Sequence, residues 1–168
     1  SRSSDLAILS VCFVDVLDNT PSSRFVDTYF DGESFYIVTY RLSRKAAEIA
    51  ANLNVSLCSR QMNAFSGKAH IIGHPLDPEN AQIRSELIKV FEPWYFKHNN
   101  EADENMCYIR INPTAGFFHQ DGTGYQINFT EKTVRAFPFT FDTLLTESKN
   151  NNATEGNMDR VTKAVELF

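Results

Sequence analysis

Residues 36–51 read Tyr-Ile-Val-Thr-Tyr-Arg-Leu-Ser-Arg-Lys-Ala-Ala-Glu-Ile-Ala-Ala, and they join a predicted strand to a predicted helix. The β-branched run ends at Thr39, and Ser43 is a good helix N-cap because its hydroxyl can accept a backbone N–H. Arg44 and Lys45 follow at the positive end of the helix dipole, where each exposed, unpaired cation costs roughly 0.3–1 kcal/mol. Either an anion binds there, such as a phosphate or carboxylate, or the two side chains are simply solvated. The residues alone leave both interpretations open.

Composition limits the class of protein. The chain has 168 residues, 42% of them hydrophobic and 22% charged, which fits one globular domain with a sizeable core. Its 14 Phe and 6 Tyr residues favour β structure. The net charge of -5 argues against a general nucleic-acid binder, and no apolar run is long enough to span a membrane. Three widely spaced cysteines indicate reduced thiols, so we expect a cytoplasmic protein.

Turn signals divide the chain into short strands and two helices. We predict an extended or helical entry at residues 6–17, followed by strands at 24–30, 34–39, 55–59, 64–73, 106–113 and 125–129. Helices are predicted at about 43–53 and from Asp77, where Pro78 fits the first helical position. This order predicts a mainly β fold with added helices, built as a small barrel.

The composition becomes polar after Phe141, and this change divides the chain into two parts. Residues 1–141 form the predicted barrel domain, and residues 142–168 form a polar linker and a short terminal helix. Residues 148–156 are Asn-rich and lack apolar periodicity, so we expect this stretch to be mobile.

Familiar cofactor motifs are absent from the sequence. It contains no G-x-G-x-x-G and no P-loop, which argues against standard dinucleotide and nucleoside triphosphate sites. His70 and His74 flank an apolar pair in a strand pattern, about 13 Å apart, so no metal site is predicted. No catalytic residue can be assigned from spacing. The aromatic run Trp94-Tyr95-Phe96 is either core or subunit packing, which we favour, or a platform for a ligand.

Three segments between about residues 12 and 74 carry a resemblance. Pro21-Ser22-Ser23-Arg24 reads P-x-x-R at the entry to a strand. Phe35–Lys45 combines an aromatic-rich strand, a Thr, a short loop and Ser-Arg-Lys. Ala51–Leu57 is followed by the strand sequence Ser66-Gly67-Lys68-Ala69. In this order the segments resemble the FMN-binding split-barrel family of pyridoxamine 5′-phosphate oxidase, with its nitroimidazole-resistance and general-stress relatives. The resemblance implies an FMN-binding split β-barrel.

The resemblance also implies a flavin site of nine residues. Those expected to hold the FMN phosphate are Arg24, Ser43, Arg44 and Lys45. Those expected along the isoalloxazine ring are Phe25, Val26, Asp27, Val38 and Thr39. Like its relatives, the chain is expected to be a homodimer with the flavin between two barrels.

Departures from the family pattern limit the expected activity. Tyr29 stands where the oxidase has a Lys, and Met62 stands where it has a flavin-contacting Gln. Residues 150–168 lack the oxidase's Trp and Arg block, so we do not expect pyridoxamine 5′-phosphate as a substrate. The expected protein is an FMN-dependent oxidoreductase with a small-molecule redox substrate and NAD(P)H as candidate donor. Two alternatives stay open: a non-catalytic flavin or haem binding module, and a structural domain without a cofactor.

Overall fold

A computed structural model describes residues 8–14, 20–59, 63–139 and 154–156, with the backbone alone for the first and last of these ranges. The strands are β1 (Ile8–Val14), β2 (Pro21–Asp27), β3 (Tyr29–Phe30), β4 (Phe35–Tyr40), β5 (Asn54–Ser59), β6 (Ala64–Gly73), β7 (Met106–Gln120), β8 (Thr123–Asn128), β9 (Thr133–Pro138) and β10 (Thr154–Gly156). The helices are α1 (Arg44–Ala51), α2 (Ala81–Val90) and α3 (Tyr95–His98). A short 3₁₀ turn, Pro78–Asn80, precedes α2.

Six antiparallel strands form a barrel in the order β2, β1, β5, β6, β7, β4. Strand β7 is long enough to have different partners at its two ends. Residues 106–111 pair with β4, residues 115–120 pair with β8, and β6 runs along the opposite edge. Strands β8, β9 and β10 continue the sheet beyond the barrel. Among the described residues no strand pairing joins β2 to β4, and we call the gap between these two strands the seam.

The barrel core is built from the alternation of side chains along the strands. Phe35 and Ile37 of β4 are buried in it, while Tyr36 and Val38, which alternate with them, face the other side of the sheet. Apolar residues of β5, β6 and β7 fill the rest of this core, and Ile49 of α1 is also buried there. Burying each such side chain contributes about 1.5–3 kcal/mol. Through Ile49, α1 packs against the barrel.

A second core lies on the other face of β4. Leu87 of α2, Phe91 and Tyr95 pack there against Tyr108 of β7, and Val38 of β4 is partly buried against them. The α2–α3 segment therefore covers this face of the sheet and brings α3 beside the seam.

The predicted mainly β fold with added helices is confirmed. The entry at 6–17 contains a strand, β1, and the predicted strand at 24–30 is interrupted at Thr28. Strand β7 continues to Gln120 instead of ending at residue 113, and β9 was not predicted. Within the described residues, no helix is long and apolar enough to cross a membrane.

The polar segment after residue 141 is described only in part. Thr154–Gly156, which we expected to be mobile, pairs with Val134–Ala136 of β9 as an edge strand, so the prediction is wrong for these three residues. Backbone pairing depends little on side-chain polarity, which is why composition did not indicate it. The predicted terminal helix lies outside the described residues.

Candidate functional site

A cavity of about 280 Å³ lies at the seam. Strands β2 and β4 supply one side of it, through Phe25–Asp27 and through Ile37 and Val38. Lys45 of α1 lies at the same cavity, because the helix starts four residues after β4 ends. The α2–α3 segment supplies the remaining wall, through Phe91, Trp94, Tyr95, His98 and Asn99.

The backbone along the seam is available to a ligand. Strand β2 pairs with β1 along one edge, and no described strand pairs with its other edge. Strand β4 pairs with β7, while β3 reaches only Phe35 and Tyr36 on the opposite edge. Open strand edges present alternating N–H and C=O groups. The seam can therefore hydrogen-bond the edge of a planar molecule that carries both donors and acceptors.

The helix start was predicted correctly. Ser43 has extended backbone angles, and its Oγ accepts the N–H of Ala46 at 3.1 Å. Its Oγ also lies 3.3 Å from Oγ1 of Thr39, which is buried. Both hydroxyl groups thus support the turn into α1, and neither residue lines the cavity.

Arg24 and Arg44 share one partner within the chain, the carboxylate of Glu48. Nε of Arg44 donates to Glu48 at 2.8 Å, and a terminal nitrogen of Arg24 donates to the same carboxylate at 2.6 Å. The hydroxyl of Ser22 donates to it at 2.9 Å, and Glu48 is only 6% exposed. The sequence left open whether Arg44 meets an external anion or is solvated, and in the structure Glu48 supplies a negative charge to it from within the chain. Neither arginine lines the cavity.

Lys45 differs from both arginines. Its side chain is half-buried at the cavity, and it has no hydrogen bond and no ion pair with the residues that the structure describes. Burial lowers the pKa of this ammonium group, and the nearby charge of Arg24 lowers the pKa further. A partly desolvated charge without a partner is unfavourable. An anion in the cavity would supply the missing interaction, so an anion site at Lys45 stays a prediction.

The outer part of the cavity is aromatic. Phe25 is 73% exposed and Trp94 is 52% exposed, which is unusual for such large apolar side chains. The ring of His98 stacks on Trp94, with centroids 5.7 Å apart and planes 11° apart. These rings give the cavity a flat apolar surface suited to a planar ligand.

Tyr95 holds the α3 side of the cavity to the rest of the protein. It is buried, and its hydroxyl donates to Glu101 at 2.9 Å and contacts the hydroxyl of Tyr108. Arg84 binds the same Glu101 carboxylate through two nitrogens, both at 2.7 Å. Burial raises the pKa of Tyr95, and it raises the pKa of Tyr108 to about 12. The hydrogen bonds from Arg84 hold the pKa of Glu101 below its usual value.

The structure brings together five of the nine residues expected at the flavin, in one cavity. These are Phe25, Val26, Asp27, Val38 and Lys45. The other four lie just outside it: Arg24, Thr39, Ser43 and Arg44.

Sequence reasoning missed Glu48, although its position four residues after Arg44 is the spacing of a helical ion pair. It also missed Phe91, His98 and Asn99, for which the sequence holds no local signal, because tertiary packing brings α3 to the seam. Trp94 and Tyr95 had been considered mainly as packing residues. Tyr95 does pack in the core, whereas Trp94 is half-exposed at the cavity.

Comparison with known proteins identifies the fold. No protein-family profile and no curated sequence matches the chain. Among solved structures it is similar to General Stress Protein 26 from Bacillus anthracis str. Sterne, with 20% identity, a TM-score of 0.52, and 67% of this chain and 83% of that chain covered. A putative pyridoxamine 5′-phosphate oxidase from Listeria innocua has 14% identity and a TM-score of 0.50, with 64% and 83% covered.

HutZ, a heme storage protein from Vibrio cholerae, has 13% identity and a TM-score of 0.54, with 70% and 84% covered. At these identities the likeness concerns the fold. The chain therefore has the split-barrel fold of the pyridoxamine 5′-phosphate oxidase-like proteins, as the resemblance implied.

Proposed function

We propose that the chain binds FMN at the seam and acts as a flavin-dependent oxidoreductase. The observation that carries this proposal is Lys45, a half-buried ammonium group in the cavity without a partner among the described residues. A phosphate group is a suitable counter-ion because α1 begins here, and the N-terminal amides of a helix also favour anions.

The charges around α1 fit a phosphate dianion. Arg24, Arg44 and Lys45 are three cations, and the carboxylate of Glu48 is the one anion among them. The group therefore carries a formal charge of plus two. In the proposed complex Lys45 binds the phosphate directly, and the two arginines, fixed by Glu48, add long-range attraction.

The rest of the cavity suits a flat ring with polar edges. The open edges of β2 and β4 would hydrogen-bond the ring's polar atoms, and Phe25 and Trp94 would cover its apolar faces. A bound flavin supplies two-electron redox chemistry, and the protein supplies binding and orientation. We further propose a small-molecule redox substrate, NAD(P)H as electron donor, a cytoplasmic location and a homodimer. The open seam and the exposed side chains of Phe25 and Trp94 support the homodimer.

The phosphate assignment can be tested with two flavins. Trp94 is the single tryptophan of the chain, so quenching of its fluorescence reports binding at this cavity. We expect Lys45→Ala to weaken FMN binding by about one to two decades, because a charge-assisted hydrogen bond contributes roughly 1.5–3 kcal/mol. Riboflavin has no phosphate, so its affinity should not change.

The matched control is Lys89→Ala, which removes an exposed lysine from the last turn of α2, outside the cavity. This variant should bind both flavins as the wild type does. Equal FMN affinity in the wild type and Lys45→Ala would reject the assignment. Loss of both flavins in Lys45→Ala would indicate a damaged cavity rather than a lost phosphate contact.

Haem is the second candidate ligand, and His98 is the observation that favours it. Its imidazole lines the cavity, and imidazole is a common axial ligand of haem iron. The visible spectrum of the purified protein separates the cases: flavin absorbance supports the first proposal, and an intense Soret band that shifts in His98→Ala supports the second. A protein that stays colourless after incubation with FMN and with haemin would be a structural domain.

A further inference from the structure

A second cavity, of about 480 Å³, lies where the sheet extends beyond the barrel. All of its lining residues belong to four neighbouring strands, β6, β7, β8 and β9. It shares no lining residue with the seam cavity, so the proposed flavin function leaves it without a role. Its volume lies within the range of roughly 300–1,000 Å³ that is common for small-molecule sites.

The register of the strands explains why a hollow forms here. Paired residues of an antiparallel sheet, and residues two positions apart on one strand, present their side chains on the same face. One row across the four strands consists of Ser66, Ala115, Asn128 and Thr133. The adjacent row consists of Ala64, Phe117, Gln126 and Arg135. Each row contains one alanine, and these short side chains leave space between the longer ones.

The opposite face of the same strands is the one that packs inside the protein. Ile127 of β8 and Val134 of β9 are buried there, with Phe118 and Tyr125 packed against them. The polar residues of the two rows are therefore not placed by the needs of the core. They form a concave surface that a ligand can reach.

Arg135 is the one cation among the described residues that line this cavity. Its Nε donates to Oε1 of Gln126 at 3.1 Å, and its guanidinium carbon lies 5.3 Å from the centroid of the Phe137 ring. These contacts orient the guanidinium, whose terminal nitrogens make no hydrogen bond or ion pair with the described residues. The described lining contains no Asp or Glu. A half-buried cation without a counter-ion favours an anionic ligand.

The remaining polar groups of the cavity are mainly donors. The amide oxygen of Gln126 is used by Arg135, and that of Asn128 accepts a backbone N–H at 2.9 Å, so each side chain keeps its NH₂ group for a ligand. The hydroxyl groups of Ser66 and Thr133 can also donate. Such a set of donors suits the oxygen atoms of a carboxylate or a phosphate.

The balance of charge distinguishes these two anions. One guanidinium matches the single charge and the planar shape of a carboxylate, with two parallel hydrogen bonds. A phosphate dianion would bring a second negative charge, which no other cation of the described lining offsets. The rest of the hollow is apolar, since Ala64, Ala115 and Phe117 lie beside the polar groups. The ligand therefore needs one carboxylate and an apolar body.

We propose that this cavity binds a small carboxylic acid in its ionised form, with Arg135 as the residue that binds the carboxylate. The apolar body of the acid lies over the two alanines and against Phe117. From β6 to β9 the rows cross three gaps between strands, about 14 Å in all, which is long enough for two fused rings. The proposal is independent of the flavin at the seam.

The probe is 2-naphthoate, titrated into the full chain while the backbone amide NMR signals are recorded. The signals of the lining residues on β7, β8 and β9 should shift, and those of the seam should not. The neutral analogue 2-naphthamide should bind about tenfold more weakly or worse, because it lacks the charge-assisted hydrogen bonds to Arg135. A wild-type protein whose lining signals do not shift would overturn the proposal, and this face would then be left to a protein partner such as a second copy.

Arg135→Gln tests the assignment of the anion-binding residue. It should weaken 2-naphthoate binding about tenfold or more and leave 2-naphthamide binding unchanged. The matched control is Arg110→Gln, because Arg110 is an exposed arginine of β7 outside this cavity. The control should bind 2-naphthoate as the wild type does. An equal loss in both variants, or no loss in Arg135→Gln, would overturn the role of Arg135.

Ala115→Leu tests the hollow itself and leaves every charge in place. Ala115 is exposed, so the variant should fold, and its larger side chain would occupy the space between the two rows. Binding of 2-naphthoate should then be lost while the dispersion of the NMR signals stays that of the folded protein. Unchanged affinity would show that the acid is held outside the hollow, and would overturn the proposal.

Glu155 provides a test of the sign of the charge. The register of β9 and β10 places it opposite Arg135, and a negative charge at this position opposes an anion nearby. Glu155→Gln should therefore tighten 2-naphthoate binding or leave it unchanged, and weaker binding would contradict the proposal. In FMN titrations Arg135→Gln should behave as the wild type does. Failure of the carboxylate site would thus leave the seam proposal standing, and failure of FMN binding would leave this one standing.

Discussion

At the scale of single residues, Glu48 organises the start of α1. Its buried carboxylate accepts hydrogen bonds from Ser22, Arg24 and Arg44, and these three donors come from two different elements. Removing one partner of a buried ion pair lowers stability strongly, because the remaining charge stays buried without a partner. Without Glu48, Arg24 would be such a charge, since only 23% of its side chain is accessible to solvent.

We therefore predict that Glu48→Gln lowers the free energy of unfolding by about 2–3 kcal/mol. This lies below the usual figure for a buried pair because Arg44 is 71% exposed and water can solvate it. Urea unfolding of the apo-protein measures the change. Glu79→Gln, an exposed residue of the 3₁₀ turn, is the control and should change stability by less than about 0.5 kcal/mol. A loss in Glu48→Gln no larger than this would show that the carboxylate is not needed.

At this scale, contacts between residues close in sequence could be predicted, and contacts between distant residues could not. The cap at Ser43 depends on a bond to Ala46 and could be predicted. The turn at Asp31-Gly32 is equally local, because Asp31 Oδ1 accepts two N–H groups there and Gly32 has a φ of 106° that favours glycine. The contact of Arg24 with Glu48 spans 24 positions. No local pattern marks such a contact, because it exists only once β2 and α1 are folded together.

At the scale of elements, the α2–α3 segment is held to β7 by the contact between the Tyr95 and Tyr108 hydroxyls. Burial raises the pKa of both groups, and for Tyr108 the value is about 12 against 10.0 for an unburied tyrosine. Below pH 10 both hydroxyl groups are protonated in the folded and the unfolded chain, so they contribute fully to the free energy of unfolding. Above pH 10 the unfolded chain loses these protons first and becomes relatively more stable. Stability must then fall as the pH rises from 10 toward 12.

We predict that Tyr108→Phe reduces this alkaline loss. The loss of the Tyr108 proton from the unfolded chain accounts for about 1.4 kcal/mol by pH 11, since one pKa unit corresponds to ~1.4 kcal/mol. The measurement is urea unfolding of both proteins at pH 8, 9, 10 and 11. The difference in stability between wild type and variant should shrink above pH 10. A difference that is constant across the series would contradict the assignment.

Elements bounded by local turn signals could be predicted, whereas those whose ends or positions depend on pairing or packing with other elements could not. Strand β6 runs Ala64–Gly73, as the sequence predicted, because turn signals bound it on both sides. Strand β7 was predicted to end at residue 113, whereas the pairing with β6 and then with β8 carries the strand on to Gln120. The position of α3 at the seam depends on the packing of Tyr95 and could not be read from periodicity.

At the scale of the whole molecule, the seam leaves an apolar surface uncovered. Phe25 and Trp94 border the cavity, and Leu42, which immediately precedes the cap of α1, is 82% exposed. Burying a large apolar side chain contributes about 1.5–3 kcal/mol. In a two-fold symmetric dimer every such residue is buried twice. A second copy over the seam would therefore be stabilised by these residues and would also cover the ligand.

If the protein is the proposed homodimer, we predict that Phe25→Glu converts it to a monomer and weakens FMN binding at least tenfold. The physical reason is that each interface would then contain two buried carboxylates without partners, and the flavin ring would lose its cover. Sedimentation velocity at micromolar concentration gives the oligomeric state, and fluorescence titration gives the affinity. Leu76→Glu is the matched control, because Leu76 is 59% exposed but does not line the cavity, and it should leave both quantities unchanged. A wild-type protein that sediments as a monomer and still binds FMN tightly would show that one copy of the seam is sufficient.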